Sequence, residues 1–178
     1  MKRKVIVTIH LYLAAFFAPA VLLVAISGGL YLLDIKGEVE LETIYSSSIG
    51  IDGKSTTLKR EVDSLLESAG VVGYKYEYVK VKGRTLYTRP TSTEHYVIQL
   101  TDSGVEVAHA QPNLQSRMIE LHKGHGPNAF KAFQKFFALS LIFIIVSGLV
   151  LGILNTRLRP TTLLVAGVGA VVFSILVL

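Results

Sequence analysis

Histidine is the residue type in this chain with the widest chemical range, and one of the five histidines lies inside an apolar segment. His10 is five residues inside an apolar run that begins at Val5. Because an ionisable side chain is costly to bury in a bilayer, such a residue is a functional hypothesis by default. The alternative is a neutral imidazole that hydrogen-bonds to a neighbouring helix, and the sequence leaves both open.

A second group of polar residues, the segment 120–127, holds two more histidines three residues apart, His122 and His125. Gly124 and Gly126 flank His125, and small residues allow a flat macrocycle to approach the backbone. The alternative for this segment is a polar turn at the membrane surface.

The absence of cysteine removes several chemistries from consideration. Disulfides, thiolate catalysis, zinc–thiolate sites and cysteine-ligated iron–sulfur clusters are excluded, and any haem must be bound non-covalently. Ser27 and Ser147 are expected to lack a histidine or acidic partner at their depth, so no nucleophilic triad is predicted.

The remaining two histidines, His95 and His109, lie in the polar middle of the chain. We interpret them as surface or turn residues. The alternative is a transient site for ferric iron, in which Glu94 or Glu106 supplies hard oxygen ligands.

The distribution of charge predicts how the chain is organised around these residues. The 178 residues are 51% hydrophobic and 17% charged, and all 13 acidic residues lie between Asp34 and Glu120. The net charge of +5 therefore comes from basic residues beside the apolar segments, and it does not indicate a nucleic-acid partner. We predict transmembrane helices in 1–33, 129–154 and 155–178, the last after a short cytoplasmic link, with a polar domain over 34–128.

The basic residues beside the apolar segments predict a cytoplasmic N-terminus, with the segment 34–128 on the opposite side of the membrane. These residues are Lys2, Arg3, Lys4, Arg157 and Arg159. A signal peptide cleaved after Ala18-Pro19-Ala20 is the alternative, and it is disfavoured because the apolar run continues to Leu33.

The polar segment reads as a small α+β domain inserted between the first two spans. Helical spacing of apolar residues predicts helices over 56–69 and 114–122, and alternation predicts strands over 71–82, 84–89, 94–101 and 105–110. The segment 45–53 is predicted to be a polar connector.

Depth in the bilayer relates the histidines to glycines on the other span. His10 and Gly148 lie five and six residues from the inner ends of their spans, which places them at a similar level. Gly28 and Gly29 lie four to five residues from the outer end of the first span, just beneath the histidines of 120–127. Each histidine level is therefore expected to face a glycine notch, although plain helix packing also favours such notches.

The layout resembles the PepSY-associated transmembrane family. The features that carry this resemblance are Ile9-His10-Leu11, Ser27-Gly28-Gly29, Leu121-His122 and Ser147-Gly148-Leu149. The resemblance implies a PepSY-like domain on the periplasmic side of a bacterial inner membrane. Larger relatives include haem-binding reductases of ferric iron and siderophores, so it implies that His10 and His122 are haem ligands, with His125 as a candidate. This chain differs in being about half their size, with three spans.

The number of candidate histidine ligands in one chain predicts a homodimer. His10 and His122 are predicted in opposite leaflets, so they cannot bind the same haem, and two chains related by a two-fold axis would complete two bis-histidine sites. The predicted function is transfer of electrons through two b-type haems per homodimer, from a cytoplasmic or quinol donor to ferric iron or a ferric chelate outside. The alternative is a non-enzymatic, membrane-anchored PepSY-like module that binds or inhibits a partner protein.

Overall fold

A computed structural model of the protein describes residues 3–178; Met1 and Lys2 lie outside the described residues. Within 3–178 the chain forms five α-helices and five β-strands. The helices are α1 (Arg3–Leu32), α2 (Leu58–Ser68), α3 (Leu114–His122), α4 (Asn128–Leu154) and α5 (Arg159–Val177). The strands are β1 (Val39–Ser47), β2 (Tyr78–Lys82), β3 (Thr85–Arg89), β4 (His95–Thr101) and β5 (Gly104–Pro112).

The chain divides into two compact units, the first made of residues 1–21 and 135–178 and the second of residues 22–134. Helices α1 and α4 each contribute residues to both units. Among the described residues, α1, α4 and α5 are long and apolar enough to cross a membrane, with 30, 27 and 19 residues. The three predicted spans are therefore confirmed as candidate membrane helices.

Aromatic and small residues hold the helices of the first unit together. Phe17 of α1 is fully buried, and its ring centroid lies 5.5 Å from those of both Phe136 and Phe137 of α4. Near the other end of α4, Gly152 lies against Thr162 of α5, and a Cβ atom at Gly152 would be 2.7 Å from the Thr162 Oγ1 atom. Gly152 thus permits a close approach of α5 within the chain.

The second unit contains a five-stranded antiparallel sheet in the order β1-β5-β4-β3-β2. One face of the sheet packs against α2 because apolar side chains alternate along the strands and recur on one side of the helix. The resulting core consists of Val62, Leu65, Leu66, Tyr76, Leu86, Ile98, Val105 and Val107.

Two sequence predictions about the sheet are wrong. Residues 45–47, predicted to begin a connector, complete β1, an edge strand whose side chains are mostly exposed and whose register with β5 shifts between Thr43 and Tyr45. The strand predicted over 71–82 begins only at Tyr78. Gly73 has a φ of 76°, a left-handed conformation that an extended strand does not contain.

Helix α3 has the predicted bounds, and its ends explain where His122 is placed. The Asn113 side chain accepts a hydrogen bond of 3.0 Å from the Ser116 backbone N–H, which caps the N-terminus. Gly124 has a φ of 77°, a left-handed conformation just past the helix C-terminus that favours glycine. His122 is therefore the last residue of α3, directly before the turn that leads to α4.

Candidate functional site

His10, in the first unit, contacts the Ser147-Gly148 pair of α4. Its imidazole Nδ1 lies 2.8 Å from the Ser147 hydroxyl. A Cβ atom added to Gly148 would be 3.5 Å from the His10 Cε1 atom, so the ring lies directly over the glycine. The expectation that His10 and Gly148 lie at one level and face each other is confirmed.

The direction of this hydrogen bond depends on the other contact of the serine. The Ser147 oxygen also lies 3.1 Å from the Ile144 carbonyl, and its single proton serves one of the two contacts. When that proton goes to the carbonyl, His10 donates from Nδ1–H. In this tautomer Nε2 carries a lone pair, and among the described residues nothing hydrogen-bonds to it.

His122, in the second unit, has the same surroundings. Its Nδ1 lies 2.9 Å from the Ser27 hydroxyl, and a Cβ atom on Gly28 would be 3.4 Å from its Cε1 atom. The Ser27 hydroxyl also lies 2.6 Å from the Leu23 carbonyl, and when it donates there His122 donates from Nδ1–H and keeps an Nε2 lone pair. Gly29, the other glycine of the expected notch, has no neighbouring atom within 4 Å of its would-be Cβ.

Each of the two Ser-Gly pairs thus receives one histidine. The prediction that Ser27 and Ser147 lack a histidine partner at their depth is wrong, because the serines directly precede the glycines that the imidazoles contact. Among residues 3–178 no carboxylate hydrogen-bonds to either imidazole, so neither contact is part of a Ser-His-acid arrangement there. The depth argument placed the two serines near the level of the imidazoles, but it did not show that they face them.

His125, three residues after His122, belongs to a different network. Its Nδ1 lies 2.6 Å from an oxygen of the Glu120 carboxylate, and the Thr91 hydroxyl donates to the same oxygen at 2.6 Å. The Lys123 ammonium lies 3.4 Å from the other oxygen. The structure therefore separates the two candidates that the sequence left open: His122 contacts helix α1, and His125 contacts the carboxylate of Glu120.

These contacts determine the charge of Glu120. Burial by itself would raise the pKa of the carboxyl group, but the hydrogen bonds from Thr91 and His125 and the charge of Lys123 outweigh it. The pKa of Glu120 therefore lies below its usual value, and the side chain is a carboxylate at neutral pH.

His95 and His109 lie on opposite faces of the sheet. His95 is paired with Ala110 and the adjacent Tyr96 with His109, so the two imidazoles point away from each other. His95 is only 4% exposed, so its interpretation as a surface or turn residue is wrong. Its Nδ1 donates to the Thr93 carbonyl at 2.9 Å, and burial lowers its pKa.

His109 packs against the Tyr96 ring, with centroids 5.2 Å apart, and its Nε2 lies 3.6 Å from the Glu94 carboxylate. Within residues 3–178 there is no group of three or more histidine and acidic side chains that could hold a metal ion.

Comparison with known proteins identifies one family. A family model described as “Putative PepSY_TM-like” matches residues 69–178, which is more than half of the chain. The match includes His122, Ser147 and Gly148, whereas His10 and Ser27 lie before it. No curated protein and no solved structure matches the chain.

Proposed function

The chain belongs to the PepSY_TM-like family of membrane proteins, and from this premise we propose that it is a b-type haem protein that transfers electrons across the inner membrane. The acceptor is ferric iron or a ferric chelate on the periplasmic side. The observation that supports the proposal is the pair of equivalent contacts His10–Ser147 and His122–Ser27.

These contacts prepare an imidazole for ligation. Histidines that bind metals almost always donate their other ring N–H to a fixed acceptor, which sets the tautomer and the ring orientation. We propose Ser147 and Ser27 as such acceptors, since each hydroxyl can give its own proton to a helix carbonyl. Gly148 and Gly28 leave room for the ring next to the helix backbone. The haem iron supplies reversible one-electron chemistry when it is bound.

The residues assigned to the cofactor are His10 and His122. Under the predicted topology, His10 serves the cytoplasmic level and His122 the periplasmic level. His125 is a weaker candidate, because its Nδ1 is committed to Glu120 in a polar network rather than to a transmembrane helix. The donor is a cytoplasmic one-electron carrier or a membrane quinol.

A homodimer follows from the number of ligands. A bis-histidine site needs two imidazoles, and each Ser-Gly pair holds one. Two copies related by a two-fold axis along the membrane normal would supply the second imidazole at each level, which gives two haems per dimer.

An absorption spectrum of the detergent-purified protein tests the proposal. We expect a reducible b-type spectrum with a low-spin, six-coordinate signature. His10→Ala and His122→Ala should each remove or convert about half of the haem signal, and His109→Ala is the matched control that should leave it intact. The mass of the complex and the ratio of haem to chain, measured on the same sample, should give a dimer with about one haem per chain.

A colourless protein from haem-sufficient cells would contradict the proposal. The two His–Ser contacts would then act only as clamps between helices. The alternative, a membrane-anchored module that binds or inhibits a partner protein, would be favoured.

A further inference from the structure

The second unit contains a pocket of about 390 Å³ that the haem proposal does not use. One wall is the face of the sheet that points away from α2, and the other is formed by α3 and the turn after it. The lining includes Lys80, Lys82, Arg89, His95, Lys123 and His125, together with Glu120 and the apolar side chains of Val39, Leu41 and Val97.

Strand alternation is the reason why the basic residues gather on this wall. Val79 and Val81 of β2 pack against the core beneath α2, so the intervening Lys80 and the following Lys82 point to the opposite face. Arg89 is paired with Tyr78 across β2 and β3, which places it on the same face.

The charges in the pocket do not balance. Lys80, Lys82, Arg89 and Lys123 face it, and Glu120 is its single carboxylate. That carboxylate is already contacted by Lys123, Arg89 and His125. Lys80 and Lys82 have no ion-pair or hydrogen-bond partner among residues 3–178, so their charges are available to a ligand.

Arg89 adds a buried cation with unused donor capacity. The residue is 9% exposed, and its guanidinium donates to the Thr91 hydroxyl at 2.6 Å and lies 3.6 Å from Glu120. Its Nε atom is buried and has no hydrogen-bond partner in the described part of the chain. Buried donors are usually satisfied, so the unpartnered Nε shows that the hydrogen bonding of Arg89 within residues 3–178 is incomplete.

We propose that this pocket binds a small di- or tricarboxylate anion. The basic residues lie on two walls, so they can hold carboxylates at both ends of one molecule, and Val39, Leu41 and Val97 can contact the carbon skeleton between them. The volume is within the range of small-molecule sites. That the ligand arrives as a ferric complex, and is then the electron acceptor, is the one part that rests on the proposed function.

The proposal is tested by isothermal titration calorimetry, in which citrate is added to the full-length protein in a non-ionic detergent. We expect saturable binding to the wild type and a loss of at least about tenfold in affinity for Lys80→Gln/Lys82→Gln, since charge-assisted contacts are the strong ones. Lys54→Gln/Lys75→Gln, which changes two exposed lysines outside this pocket, is the charge-matched control and should bind as the wild type does. Inorganic phosphate, which lacks a carbon skeleton, should bind more weakly than citrate.

Three outcomes would overturn the proposal: no binding of citrate, equal affinity in the double variant, or equal affinity for phosphate. The double variant must first unfold at the same temperature as the wild type, which we expect because neither lysine has a partner. A parallel titration with ferric citrate shows whether the pocket binds the free anion or its ferric complex more tightly. Citrate binding by a colourless protein would support the pocket and refute the haem proposal, so the two failures are distinguishable.

Discussion

Replacing Ser27 by alanine tests whether the serine positions His122 as a haem ligand. The substitution removes the hydroxyl oxygen that lies 2.9 Å from the His122 Nδ1 atom, the proposed acceptor of its proton, and leaves Gly28 beneath the ring. The imidazole is then free to rotate and to carry its proton on either nitrogen. Because only the Nε2 lone pair can bind the iron in the geometry proposed, we expect the variant to retain less haem at the periplasmic level.

The magnitude follows from the contact itself. A neutral hydrogen bond contributes about 1 kcal/mol net, which is about fivefold in a binding constant. Loss of an outer-shell partner of a ligating histidine costs about 10- to 100-fold in affinity. We therefore expect Ser27→Ala to lower the affinity for haem about tenfold, and Ser147→Ala to have the same effect on the site of His10.

The assay is a titration of haem into the apoprotein, followed by absorption, with the reduction potential measured on the loaded protein. Ser174→Ala is a matched control in a predicted span. Its hydroxyl donates to the Ala170 carbonyl at 2.8 Å, as Ser27 donates to Leu23, but no histidine contacts it. The control should bind haem as the wild type does. If Ser27→Ala and Ser147→Ala also keep wild-type affinity and potential, the serines do not position ligands and the reasoning from the tautomer fails.

Three further predictions concern packing, pH and topology. Gly148→Leu should abolish the haem signal assigned to His10. Gly148→Ala should retain it, because a Cβ atom there lies at an ordinary contact distance of 3.5 Å from the His10 ring. Loss of the signal in both variants would show that the glycine has another role. Burial lowers the pKa of His95 from its usual value of 6.5, so below pH 6.5 the unfolded chain binds more protons than the folded chain. The temperature of unfolding should therefore fall as the pH decreases from 6.5 to the pKa of the folded protein, and it should fall less steeply in His95→Asn. Parallel pH profiles of the two proteins would contradict this. Reporter fusions at Gly53 and Thr156 should give opposite signals, and a cytoplasmic signal at Gly53 would reverse the topology.

The parts of the fold that the sequence predicted well are those that depend on local pattern. The apolar runs are long enough and poor enough in charge to cross a membrane, so α1, α4 and α5 follow from length and composition. Helix α3 was predicted over its observed residues because apolar spacing and the glycine at Gly124 both mark it. Such signals are contained in neighbouring residues and need no knowledge of the tertiary structure.

The parts that the sequence missed depend on pairing between distant residues. Strand β1 carries two glutamates, a residue depleted in strands, and it forms because its backbone pairs with β5 at the sheet edge. The alternation along Val71–Lys82 predicted a long strand, but the left-handed conformation of Gly73 is incompatible with an extended strand at that residue. His95 looked exposed beside a polar turn, and only the pairing of β4 with β5 shows that it is buried.

The candidate site shows the same difference between what local sequence pattern predicts and what depends on contacts between distant residues. Counting residues from the end of a span fixes the depth of a side chain, and this was enough to bring His10 to Gly148 and the segment 120–127 to Gly28. It does not fix the direction in which a side chain points, because successive helix residues are rotated by about 100°. Whether a serine one position before a glycine meets the same imidazole therefore depends on how the helices are rotated. In both units they are rotated so that the imidazole lies over the glycine and hydrogen-bonds to the serine. Ser-Gly, rather than glycine alone, is therefore the element that contacts each histidine.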